Sequence, residues 1–134
     1  MENLDTNSII KYLEENLHGL QGIYLFGSFA SGYANKESDV DIAILQQDKL
    51  PFEKRLKTTT GLSILLNRDV DLIQLRYVDT VFQEEILKTA KRIATYDRMA
   101  CALYEDYVFC SAMDFREFRK PHLEEIIARG SVYG

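Results

Sequence analysis

Cysteine, proline and glycine are all scarce in this chain, and each scarcity excludes something. Two cysteines in 134 residues exclude a disulfide scaffold. Cys101 and Cys110 lie in one helical pattern, roughly 13 Å apart at about 1.5 Å per residue, too far for an internal bridge. Two reduced, half-buried thiols are expected. Two prolines and seven glycines leave little scope for a long linker. Positive charge is also in deficit. Sixteen Lys and Arg against 21 Asp and Glu give a net charge of −5, a poor basis for direct nucleic-acid binding, which relies on cations displacing counterions from phosphates. No apolar run approaches the roughly 18 residues of a membrane span. The first residues, MENLDTNSII, carry acid where a secretory signal carries base. The expectation is a single cytoplasmic domain, long enough to bury about two thirds of its unfolded surface.

What is present is a regular alternation of periods. Ile9, Ile10, Leu13 and Leu17 share a helical face, with Asp5 or Thr6 as N-cap and Gly19 as a stop. Residues 22–27 form a short apolar run between glycines, the pattern of a buried strand. Residues 28–32 read as one small helical turn and residues 33–38 as loop. Residues 39–45 alternate as a strand, and Gln46 to Pro51 is a connection. Phe52 to Leu66 has helical spacing. Residues 69–75 form a third strand, Thr80 to Ala90 a helix, and residues 92–95 a short strand.

Seven of the 15 aromatic residues fall after position 95, where Tyr96, Ala100, Leu103, Tyr107 and Cys110 recur at helical spacing as an apolar seam. Pro121 precedes a short amphipathic piece through Leu123, Ile126 and Ile127. The expected fold class is α+β: a small mixed sheet flanked by helices, with C-terminal helices.

Two segments carry chemistry. One is Gly27-Ser28, then ten residues, then Asp39-Val40-Asp41; the other is Asp71, inside an apolar strand. Side chains two apart on a strand point the same way, so Asp39 and Asp41 project together. Carboxylates side by side repel one another and call for a cation. Oxygen ligands of this kind suit Mg²⁺, and Asp71 on a neighbouring strand would complete a two-metal site for in-line displacement at phosphorus. Gly27 permits close approach of a triphosphate, and Ser28 offers a hydroxyl and an N–H.

The stretch LFGSFASGYANKESDVDIAIL resembles the Gly-Ser-x10-Asp-x-Asp signature of the DNA polymerase beta superfamily of nucleotidyltransferases. The short chain is similar to the minimal nucleotidyltransferase (MNT) branch, and within it to antitoxins encoded beside HEPN ribonuclease toxins. The similarity spans about residues 5–95, the expected catalytic core; residues from about 96 to 130 would be a helical partner-binding segment. The resemblance implies that Gly27 and Ser28 hold the nucleotide phosphates. It implies that Asp39, Asp41 and Asp71 bind Mg²⁺, two ions in the superfamily, with Ser28 and the three aspartates as the catalytic set. Antitoxins of this kind transfer AMP from ATP to a tyrosine of the HEPN partner, which silences its ribonuclease activity. The chain departs from the pattern at Ser31, where many relatives carry a basic residue; Arg68 and Arg76 are both candidates to supply that charge.

Other features have plainer readings. Asp69 shares the alternation of Asp71 but reads as a solvated strand end. Arg116 and His122 match the Arg-x4–6-His spacing of HEPN ribonucleases by coincidence, because strands occupy most of this chain. His18 and His122 lack partners at metal-ligand spacing and read as surface residues. The mixed charge around Arg116, Arg119 and Lys120 reads as a solvated face. Two alternatives to AMP transfer onto a protein stand beside it. One is an antitoxin that acts by occlusion through its C-terminal helices. The other is an aminoglycoside-type nucleotidyltransferase, disfavoured because the length leaves no space for a domain that holds a small acceptor.

Overall fold

A computed structural model describes residues 4–32, 34 and 38–111. Helix α1 (Thr6–Asn16) leads into strand β1 (Leu20–Phe26), a single helical turn α2 (Ser28–Ser31) and strand β2 (Val40–Gln46). Helix α3 (Phe52–Leu66) crosses to strand β3 (Val70–Gln74), followed by a 3-10 turn (Leu75–Tyr77), helix α4 (Thr80–Thr89) and strand β4 (Lys91–Thr95). The chain is helical again from 98 to 111, here called α5. The fold is the expected α+β mixed sheet, in the order β3-β2-β1-β4. β1 pairs antiparallel with β2 and β4, while β2 and β3 are parallel. A parallel pair needs a long crossover, which α3 supplies.

The sequence explains the layers. β1 and β2 are central and covered on both faces, so they read as apolar runs. One face carries Ile23, Leu25, Val40, Ile42, Ile44 and Leu72 against Ile9 and Leu13 of α1 and Leu62 of α3. The other carries Tyr24, Phe26, Ala43, Leu45 and Ile73 against Ile86 of α4 and Cys101, Tyr104 and Val108 of α5. Each fully buried Ile or Leu contributes about 1.5–3 kcal/mol over exposure. Asp5 is the N-cap of α1: its carboxylate accepts from the Ser8 N–H at 3.1 Å and the Ser8 hydroxyl at 2.6 Å. Those bonds, the hydroxyl's first, hold its carboxyl below the ordinary value. α3 ends at Asn67, which takes a left-handed conformation with φ 53° and turns the chain into β3.

Several expectations need correction. α1 stops at Leu17, before Gly19. The strands expected from Asp39 and Asp69 begin one residue later, where the Val40 N–H donates to the Asp69 carbonyl at 2.9 Å. Gln46 ends β2 and is buried, rather than opening a connection. The two thiols are not both half-buried: Cys101 is fully buried and Cys110 exposed. Nine positions at about 100° each turn a helix by half a revolution beyond whole turns, which sends them to opposite sides.

The seam of α5 is also out of phase. Cys101, Tyr104 and Val108 are buried, whereas Leu103 and Tyr107 are 61% and 66% exposed and Tyr96 precedes the helix. Both stripes are apolar at spacings of three and four, so periodicity alone does not choose between them. His18 is exposed, as expected. Arg116, Arg119, Lys120, Pro121, His122 and the piece through Leu123, Ile126 and Ile127 lie outside the described residues, as do residues 33 and 35–37 of the expected loop. Among the described residues no helix is long and apolar enough to cross a membrane.

Candidate active site

The site forms at one end of the sheet, where β1 finishes and β2 and β3 begin. In the parallel β2–β3 ladder Asp41 stands directly opposite Asp71, so both carboxylates leave the same face of the sheet. Asp39 lies two positions before Asp41, just ahead of β2. Asp41 is half-buried, whereas Asp39 and Asp71 are exposed. Burial, then the nearby carboxylates of Asp71 and Asp39, push the Asp41 carboxyl above its ordinary value. Both neighbours thus lie close enough to act electrostatically on Asp41.

Across the other ladder Phe26 pairs with Asp41, which brings Gly27 beside the Asp41 carboxylate. Gly27 has φ 72° and ψ −148°, a region open essentially to glycine alone. A Cβ there would stand 2.2 Å from Asp41 Oδ2 and 3.1 Å from its Cγ. Two independent constraints therefore fix glycine at this position. Ser28 opens α2 and is half-buried beside it. Ser31 is used locally: its hydroxyl donates to the Gly27 carbonyl at 3.1 Å and the Ser28 carbonyl at 3.3 Å, which closes the turn.

Asp69 is exposed just ahead of β3, with its backbone carbonyl in the ladder, in keeping with a solvated strand end. The structure separates the two arginines. Arg76 is at the far end of the sheet, where it donates to Gln21 Oε1 at 3.1 Å and lies 5.2 Å from the Tyr104 ring centroid. Arg68 is at the site end. Its guanidinium lies 5.1 Å from the Phe29 ring centroid and donates to the Ser38 carbonyl at 3.3 Å. A cavity of about 500 Å³ lined by Asp39, Thr60, Ser63, Asn67 and Arg68 opens here. The polar residues of α3 were missed by sequence reasoning, because Thr60 and Ser63 lie within an ordinary helical pattern. The only signal was Asn67-Arg68 immediately ahead of an Asp-bearing strand.

The residues fit a hard dication. The donors are all carboxylate oxygens, and the half-buried Asp41 is held between two like charges that a cation would relieve. Among the described residues no three His, Cys, Asp or Glu side chains are already gathered closely enough to hold an ion together. The half-buried Asp41 and the exposed Asp39 and Asp71 are the residues that would hold an ion here.

An end-of-sheet carboxylate set against a glycine-serine turn, on an α+β scaffold, is the arrangement that the sequence signature of nucleotidyltransferases describes. The family described as Polymerase beta, Nucleotidyltransferase matches residues 7–99, and this chain belongs to it. The chain is 40% identical over 93 residues to the protein adenylyltransferase MntA of Shewanella oneidensis, covering 69% of this chain and 67% of that one. Its structure superposes with a TM-score of 0.79 on a crystal structure of a toxin–antitoxin complex with AMP-PNP, at 31% identity over 92% of this chain and 99% of the other. It is also similar to a chain in the complex of the tri-AMPylated Shewanella oneidensis HEPN toxin with its MNT antitoxin. There the TM-score is 0.71 and the identity 29%, over 90% and 94% of the two chains.

Proposed function

We propose that this chain transfers AMP from ATP to a tyrosine of a cognate HEPN ribonuclease toxin and so acts as its antitoxin. The single observation that carries the reading is the Asp41–Asp71 pairing, with Gly27 pressed against Asp41. Its likeness to the MntA adenylyltransferase and to the AMPylated toxin complex supplies the substrate and the partner.

In this reading the bare backbone of Gly27 lets the triphosphate lie close, and Ser28 donates to a phosphate oxygen. Asp39, Asp41 and Asp71 would hold Mg²⁺, two ions on the superfamily pattern, which when bound neutralise phosphate charge and acidify the incoming hydroxyl. Asp71, exposed on the strand beside β2, would act through its metal on the incoming hydroxyl. The phenolic oxygen forms a bond to the α-phosphorus, the bond from that phosphorus to pyrophosphate breaks, and the phenol loses its proton. Residues 5–95 form the catalytic core, and α5 with the residues after it provides the partner-binding segment. We place this chemistry in the cytoplasm, where ATP and a ribonuclease target coexist.

The test is incubation with labelled ATP, Mg²⁺ and the HEPN protein encoded next to this chain. Label should enter the HEPN protein and be lost with Asp39→Ala/Asp41→Ala. A double variant that labels as wild type does would end the proposal. One observation favours occlusion as an additional route: Met99, Leu103 and Tyr107 line the outer side of α5 and are 68%, 61% and 66% exposed. If the double variant still rescues growth from the toxin while truncation after about residue 95 does not, binding through this stripe is the dominant mechanism.

A further inference from the structure

We propose that the groove between α3 and the outer edge of β3 seats the acceptor tyrosine of the HEPN partner, with Phe52 and Leu56 holding its ring. The inference rests on the AMP-transfer reading above and names the acceptor's place in it. β3 is an edge strand, and among the described residues no further strand pairs with its outer side. Asp71 therefore borders two spaces. On the sheet it stands beside Asp41. Along the edge it lines a cavity of about 180 Å³ together with Leu72 of β3 and Phe52, Arg55, Leu56 and Thr59 of α3. Of the three site carboxylates Asp71 alone lines this cavity, and it is the one assigned to the incoming hydroxyl.

The groove has the chemistry that a phenol needs, an apolar wall for the ring and a wet, polar end for the hydroxyl. Phe52 and Leu56 lie four positions apart on α3 and so share one face of the helix. They are 67% and 54% exposed, which leaves two large apolar side chains uncovered beside a carboxylate. The Arg55 guanidinium lies 6.0 Å from the Phe52 ring centroid, within cation–π range, which steadies that ring. The cavity is below the roughly 300–1,000 Å³ typical of small-ligand sites, a size that suits one inserted side chain rather than a whole ligand. Charge argues in the same direction. Residues 52–57 carry Lys54, Arg55 and Lys57 against Glu53 alone. An aminoglycoside, with several ammonium groups, would be repelled there, whereas the neutral phenol of a protein segment would not.

The experiment follows AMP transfer by the full chain with Mg²⁺ while the neighbouring HEPN protein is varied, alongside calorimetric titration with ATP. Phe52→Ala/Leu56→Ala should lower kcat/KM for the HEPN protein by about tenfold or more, with ATP affinity unchanged. Phe52→Leu/Leu56→Met keeps an apolar wall and should retain most of the activity. Both side chains are exposed, so thermal melts of the variants should match wild type. A benzophenone side chain in place of Leu56 should, on irradiation of the complex, join the partner peptide that carries the modified tyrosine. The same group in place of Ile64, 77% exposed on the same helix but outside this cavity, should not. An unchanged kcat/KM in the double alanine variant, an equal loss of ATP affinity, or failure of position 56 to reach the tyrosine peptide each overturns the proposal. A wild-type chain that labels no HEPN tyrosine overturns the AMP-transfer reading as well, whereas labelling insensitive to Phe52 and Leu56 overturns only this one.

Discussion

The two ends of one sheet are built on opposite principles. At the far end every buried amide is committed. Gln74 donates to Gln46 Oε1 at 2.9 Å and to the Asp48 carbonyl at 3.0 Å, and accepts from the Leu50 N–H at 2.8 Å. Gln46 in turn donates to the His18 carbonyl, and Tyr104 to Gln83 Oε1 at 2.6 Å. The exception among the described residues is Arg76 Nε, which is buried without a hydrogen-bond partner. At the site end Asp39 and Asp71 raise the Asp41 carboxyl, and among the described residues none of the three has an ion pair. One end closes the connections and stabilises the fold. The other leaves like charges beside one another, with the half-buried Asp41 held between Asp71 and Asp39.

The largest test of that contrast is neutralising a site carboxylate. Asp41→Asn should lower AMP transfer by about a hundredfold or more, because charge stabilisation in the transition state goes with it. The same variant should melt no lower than wild type, since it removes a half-buried charge held between two others. Added Mg²⁺ should raise the melting temperature of wild type and not of the variant. A large drop in stability of metal-free Asp41→Asn would show that the site end is structural and would break the comparison.

Gly27→Ala probes the same end through sterics. The left-handed backbone alone should cost about 1–3 kcal/mol, and the new methyl would collide with Asp41 Oδ2. The two substitutions should therefore not add. In an Asp41→Ala background, where the colliding oxygens are gone, Gly27→Ala should cost measurably less by urea denaturation. Additive costs would mean that the contact relaxes freely and that backbone strain alone fixes the glycine.

How far all this was legible depends on the range of the determinant. That Asp41 and Asp71 share a face of the sheet could be read, because strand alternation is local and has a period of two; the expected roles of Gly27, Ser28, Asp39, Asp41 and Asp71 came instead from the Gly-Ser-x10-Asp-x-Asp signature. α3 could be bounded correctly because Pro51 and Asn67 mark its ends. The buried face of α5 could not, since two apolar stripes compete and only the sheet decides between them. Arg68 and Arg76 were indistinguishable until strand direction put one at each end. The burial of Gln46, expected in a connection, and of Gln74 was not legible, because each is satisfied by groups 24–28 positions away in sequence.

The far end makes the converse prediction. Gln74→Leu removes the partner of the Leu50 N–H and of Gln46 Oε1, leaving buried polar groups unpaired. It should cost about 1–3 kcal/mol in urea denaturation. AMP transfer per folded molecule should stay close to wild type, with KM for ATP unchanged, since no atom of Gln74 approaches the carboxylates. A change in KM without a change in stability would couple the two ends and undo the division of labour.

The smallest effect sharpens the contrast to two aspartates. Asp5 is surrounded by donors and Asp41 by acids, so their carboxyls move in opposite directions from the same ordinary value. A lowered folded value means that Asp5 stabilises the fold above the ordinary aspartate range, and that this stabilisation is lost as pH falls below about 4 through the folded value. A raised value means the reverse for Asp41. The folded state holds that proton more tightly, so its unfavourable contribution sets in as pH rises through the folded value. Asp5→Asn keeps an N-cap acceptor and removes only the titration. Its urea midpoint should match wild type closely at pH 7 and exceed it in relative terms at acid pH, once wild type has been taken below the folded value and has lost the Asp5 contribution. Asp41→Asn should tilt the profile the other way, with its advantage over wild type growing toward neutral pH. Parallel profiles for the two variants would mean that local environment does not set these two carboxyls apart.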